Sequence, residues 1–182
     1  MKGFTLIELL VTVSILVLTA IFILANYPKF SSRVSLERTS QEVALSLRRA
    51  QSFALAVKEF GQGSGIFPGY GVHFEIASPA DYAVYADINA NREYDGASEL
   101  VESMHIETSP RIIALCAGEK TQPPGDCGFS ELDITYLRPA PTIFFKSGVA
   151  TLTYSDLEIK IRAPDGTLRT ITVWNSGQVG LE

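Results

Sequence analysis

Gly3-Phe4-Thr5-Leu6-Ile7-Glu8-Leu9-Leu10 opens an apolar run from Phe4 to Ala25, 22 residues in which Glu8 is the one charge. As an α-helix rising about 1.5 Å per residue, the run reaches about 33 Å, enough to cross the hydrocarbon core of a bilayer. It exceeds the apolar region of an ordinary secretory signal, about 7–15 residues. Leu24-Ala25-Asn26 also makes a poor signal-peptidase site. An acid inside such a helix costs about 2.5–3.5 kcal/mol at the bilayer centre and less near its edge. Burying it beside an amine costs far less than burying either group alone. The spacing predicts an N-terminal helix of membrane length, with Glu8 kept for a cationic partner.

Downstream, Pro28 removes a backbone donor and is expected to interrupt this helix at the membrane exit. A second helical pattern runs from about residue 32 to 60. There Leu36, Val43, Leu47, Ala50, Ala54 and Val57 recur at helical spacing and make one apolar stripe. That stripe is the face expected to pack on a sheet. Gly61-Gln-Gly-Ser-Gly-Ile-Phe-Pro-Gly69 reads as a connector. Its glycines lead to no Gly-Lys-Ser/Thr, so a turn is a better reading than a phosphate loop. From Tyr70 onward short strands are predicted at 70–76, 82–88, 100–106, 111–116, 132–137, 142–146, 151–154, 157–162 and 168–174. Leu157, Ile159 and Ile161 alternate with Glu158, Lys160 and Arg162, the mark of a half-buried strand. Ala163-Pro-Asp-Gly166 predicts the turn that follows. The expected fold class is α+β: a long N-terminal hydrophobic α-helix (4–28) continuing into an amphipathic helix (29–60), packed on a C-terminal antiparallel β-rich domain (61–182).

The single lysine before a Gly3-Phe4 junction, the long apolar helix and the acid at Glu8 together resemble the N-terminus of type IV prepilins and pseudopilins. Leu45-Ser-Leu-Arg-Arg-Ala-Gln-Ser-Phe-Ala-Leu-Ala56 is similar to the helix segment of the GspH/FimT-like minor pilins and pseudopilins. The resemblance implies a pilin fold with residues 1–3 as a leader. A membrane-embedded prepilin peptidase would cut after Gly3 and N-methylate Phe4. Glu8 would neutralise the terminal amine of a neighbouring subunit while helices bundle into a filament, packed partly through Thr5, Thr12, Ser14 and Thr19. The implied function is structural: a minor pilin or pseudopilin of a type IV pilus or type II secretion-like filament. A major pilin, a DNA-receptor minor pilin for natural transformation and a membrane-anchored exported binding domain are the alternatives. Implied partners are the peptidase, other pilin subunits and inner-membrane lipid before assembly. The implied location is a single pass through the cytoplasmic membrane with the globular domain outside, then the filament. The chain departs from many major pilins in having no glycine between Phe4 and Phe60 and a later proline.

Length and charge agree with that outline. A chain of 182 residues suits one domain plus an anchor, and a net charge of −5 argues against a general polyanion binder. With Lys2 retained on the cytoplasmic side, everything after the helix is exported. In an oxidising compartment Cys116 and Cys127 then read as one disulfide. With His73 and His105 the only histidines, a zinc site lacks ligands.

Three chemistries remain to be weighed. Asp87, Asn89, Asn91 and Asp95 stand at positions 1, 3, 5 and 9 of an EF-hand-like pattern, a candidate calcium site. Arg92 occupies the glycine position, and Glu99 falls one place beyond the twelfth. Residues 71–107 hold eight acids and one arginine. A solvated hairpin built on Asx turns has the same pattern. Lys160, Arg162 and Arg169 are a candidate DNA-binding patch, yet residues 141–182 carry four basic and four acidic side chains, which gives no net attraction for phosphate. No catalytic constellation and no cofactor motif is found, so an enzyme is not expected.

Overall fold

The computed structural model describes residues 3–138 and 142–182. Leu6–Leu55 form one α-helix, α1. Eleven strands follow: β1 (Gly69–Glu75), β2 (Asp81–Asp87), β3 (Leu100–His105), β4 (Arg111–Ala117), β5 (Asp126–Cys127), β6 (Glu131–Leu137), β7 (Thr142–Ser147), β8 (Ala150–Leu152), β9 (Asp156–Arg162), β10 (Leu168–Trp174) and β11 (Val179–Leu181). They make two antiparallel sheets, one ordered β3-β2-β1-β6-β7-β8 and the other β11-β10-β9-β4-β5. The chain is thus α+β, one long N-terminal apolar helix followed by antiparallel sheets.

The C-terminal half of α1 is where helix and sheets meet. Leu36, Val43, Leu47, Ala50 and Ala54 are buried in one cluster with Tyr70, Val72 and Phe74 of β1, Ile134 of β6, Ile159 of β9 and Val173 of β10. Two small residues four apart, Ala50 and Ala54, take the helix close to the sheet, and both are at most 1% exposed. Polar contacts pin the seam: Ser46 Oγ meets Tyr82 Oη at 3.1 Å, and an Arg48 guanidinium nitrogen donates to the Val179 carbonyl at 3.3 Å.

Two expectations change at the helix. It runs through Pro28 without a break. Proline costs about 3 kcal/mol in a helix interior, yet it removes one backbone bond only, and long helical segments flank it on both sides. It also ends at Leu55 rather than near residue 60. Val57 has φ +54° and lies off the stripe, 41% exposed. Among the strands, β5 and β11 went unread because two or three residues show no alternation.

Each sheet carries a loop across its outer face. Residues 88–99 lie over the first: the Tyr94 ring sits 5.2 Å from His73 and 5.7 Å from Tyr85, and Arg92 stacks 3.6 Å over Phe144. Gly71 allows this layer to close, since a Cβ there would stand 2.5 Å from the Tyr85 ring. Residues 118–126 lie over the second sheet, closed by the Cys116–Cys127 disulfide.

Candidate functional site

At the N-terminus Met1 and Lys2, the start of the expected leader, lie outside the described residues. Gly3 has open space where a side chain would go, and Phe4 is 80% exposed. Thr5 caps α1. Its hydroxyl accepts from the Glu8 backbone N–H at 3.3 Å, and the Thr5 N–H and hydroxyl both donate to Glu8 Oε2, at 3.4 and 3.2 Å. This is a capping box, with the carboxylate at the electropositive end of the helix. Its sequence signature, Thr5-x-x-Glu8, was readable from the start. Glu8 therefore has a use within its own chain, while one carboxylate face stays open to a second cation.

From Leu6 to Phe30 no described side chain of the helix is buried. The helix is long and apolar enough to cross a membrane. Thr12, Ser14 and Thr19 return their hydroxyls to carbonyls of the preceding turn at 2.8–3.0 Å, so these donors are satisfied within the helix. This stretch is an exposed apolar rod with one acid near its tip.

Asp87 apart, the candidate calcium loop spends its polar side-chain atoms on itself. Asn89 and Asn91 both donate from Nδ2 to Asp95 Oδ2, at 2.6 and 2.7 Å. Their Oδ1 atoms accept from the backbone N–H groups of Asn91 and Glu93. Glu99, 2% exposed, accepts from the Ile88 and Asp95 N–H groups. Asp87, also 2% exposed, faces the backbone of residues 90–92, yet neither carboxylate oxygen has a well-formed hydrogen bond among the described residues, and burial pushes its carboxyl up. The ammonium of Lys146 reaches the Asn91 carbonyl and the Glu93 carboxylate. Ala90 and Arg92 adopt φ of +62° and +68°, the left-handed turn that glycine would favour.

The candidate DNA patch is divided. Lys160 and Arg162 project from the outer face of the second sheet, and Lys160 pairs with Glu119 at 2.7 Å. Arg169 stands opposite Ile161 on the helix side, where it pairs with Glu37 at 2.6 Å. The glycine-rich turn is filled as well: the Glu59 carboxylate accepts from the Gly63 and Gly65 N–H groups at 3.1 and 2.6 Å, bonds that hold its pKa down. The disulfide joins Cys116 and Cys127 as expected.

One group of acids escaped the sequence reading. Asp156 and Glu158, on the outer face of β9, are both 0% exposed. Glu158 reads in sequence as part of the polar half of an alternating strand, with Asp156 just before that strand. The loop that covers them enters from more than thirty residues upstream, and nothing local announces it.

Comparison with protein-family models, with curated proteins and with solved structures finds no match to this chain.

Proposed function

We propose that this chain is a structural subunit of a filament, a minor pilin or pseudopilin of a type IV pilus or type II secretion-like system. It is cleaved after Gly3 by a prepilin peptidase, N-methylated on Phe4, held in the cytoplasmic membrane by its N-terminal helix and then assembled through that helix. The observation that carries this reading is the bare apolar helix with a lone carboxylate in its first turn. Inside a helix bundle the apolar surface is covered by neighbouring copies. Glu8, preoriented by Thr5, meets the new terminal amine of an adjacent subunit, which sets axial register.

The capping box also favours a second reading, a membrane-anchored exported domain in which Glu8 only closes its own helix. Glu8→Gln separates the two, because glutamine keeps the cap and loses the charge. Leaving a buried amine unpaired costs about 3–5 kcal/mol. Incorporation into filaments should therefore collapse in Glu8→Gln while cleavage proceeds. Normal incorporation of that variant would show that Glu8 only closes its own helix, and absence of the unaltered protein from filaments would leave the anchor reading. Gly3→Ala should hold the protein at its unprocessed mass, and a mature mass would remove the peptidase from the account.

A further inference from the structure

The loop over the second sheet closes on two buried acids. Its disulfide fixes both ends, and β4, β5 and β9 lie side by side beneath it, with Cys127 opposite Cys116 and Cys116 opposite Glu158. The Lys120 and Thr121 N–H groups donate to the two oxygens of Asp156 at 2.9 and 3.2 Å, and the Thr121 hydroxyl donates to Asp156 as well. Gly118 N–H donates to the Asp156 carbonyl at 3.0 Å. Asp156 is thus a fully partnered carboxylate.

Glu158 is not. Both of its oxygens are buried, and among the described residues neither has a well-formed hydrogen bond, the nearby Lys120 N–H being directed at Asp156. Thr172, its neighbour on β10, has a buried hydroxyl with no partner either. The charged groups around Glu158 come from every element packed there. They are Asp156 and Lys160 on β9, Glu119 and Lys120 in the loop, and Glu182 beyond β11, which pairs with Lys120. Lys160 is committed to Glu119, and Lys120 to Glu182. Among the described residues the nearby cations each pair with another carboxylate, although the Lys120 ammonium also feels the Glu158 charge.

A buried carboxyl beside a carboxylate is satisfied in one way, by carrying a proton that it donates to its neighbour. We propose that a protonated Glu158, hydrogen-bonded to Asp156, is the latch that holds the 118–126 loop closed, and that its ionisation releases the loop. On ionisation the proton passes to solvent, two adjacent carboxylates repel, and the loop lifts to admit water while the disulfide keeps its ends in place. The proposal does not depend on the filament reading. Electrostatics agree with it: burial, then the hydrogen bond and charge of Asp156, push the Glu158 carboxyl up to about 8. Asp156 is raised by burial but held below its ordinary value by bonds from Glu158, Thr121 and Lys120.

The sign follows from proton linkage. A carboxyl raised in the closed state and ordinary in the open state stabilises closure fully below its ordinary value of 4.5. That stabilisation fades as pH rises to about 8 and changes no further above it. Within that window the open population grows by about tenfold per pH unit.

The test is hydrogen exchange on the full chain in detergent micelles, corrected for intrinsic exchange rates, between pH 5.5 and 8.5. The loop peptide covering residues 117–127 should lose about a hundredfold in protection and then level off, while the β6 peptide stays protected. In Glu158→Gln the loop's protection should not change with pH. A flat profile in the unaltered protein, a retained slope in Glu158→Gln, or joint loss of protection in loop and β6 would each overturn the latch. Carboxyl carbon resonances of the unaltered protein give a check that no variant's folding can spoil. Glu158 should titrate far above 4.5, and titration near that value would refute the proposal.

Discussion

At the scale of single residues, the Asn89, Asn91 and Asp95 side chains that suggest ligands are already engaged with one another, while the Asp87 oxygens have no hydrogen-bond partner among the described residues. Calcium between residues 87 and 95 would have to turn the Asn89 and Asn91 amides away from Asp95 and compete with the Lys146 ammonium. Exported calcium modules bind at about 10⁻⁴–10⁻³ M with all of their ligands in place. The full chain in detergent is therefore expected to melt at one temperature in millimolar calcium and in chelator. A rise of several degrees with calcium would show that these side chains rearrange. The Asp-x-Asn-x-Asn spacing was legible in the sequence because Asx turns and metal loops share it. Which of the two uses applies depends on Tyr94, Arg92 and Lys146 reaching the outer face of the first sheet, contacts that no local spacing encodes. Glu8 shows the converse, since its partner Thr5 is three residues away and the cap was written in plain order.

Among the elements, the strands that alternate were readable and the covered ones were not. β9 shows Leu157, Ile159 and Ile161 on its core face as expected, and β10 spans the predicted 168–174. The polar residues between them read as solvated. Asp156 and Glu158 instead lie beneath a loop whose placement depends on the Cys116–Cys127 bond and on amides at residues 120 and 121. Closing so short a loop constrains the unfolded chain by about 2–3 kcal/mol. Replacing both cysteines with serine should lower the melting temperature by about 5–10 °C, given the usual entropy of unfolding for a chain of this size. Calorimetry measures this directly, and a loss below about 1 °C would show that the loop is held by Asp156 alone. The same variant should raise loop exchange even at low pH, where Glu158 keeps its proton.

At the scale of the whole molecule, the candidate patch of Lys160, Arg162 and Arg169 does not form one continuous cationic surface among the described residues. The β10 arginine lies on the helix side of the second sheet, engaged with Glu37, and Lys160 is engaged with Glu119 on the other side. Counterion release requires several free cations on one face. A gel-shift of the full chain with double-stranded DNA is expected to show no salt-sensitive complex at micromolar protein. A shift that fades between 50 and 200 mM salt would mean that these pairs open. Fold class was legible at this scale because a membrane-length apolar run, one amphipathic stripe and many short alternating segments each obey a different period. The joining of the two helical segments was not, because Pro28 argues locally for a break that the flanking turns override.

That joining has a mechanical consequence. The exposed apolar stretch and the strut carrying Val43 and Leu47 belong to one stiff helix, with no hinge of glycine between them. A pull applied at Phe4 is delivered straight to the interior of the folded domain, which must travel with its stem as one body. The proline at position 28 is then the place where such a load would first find give.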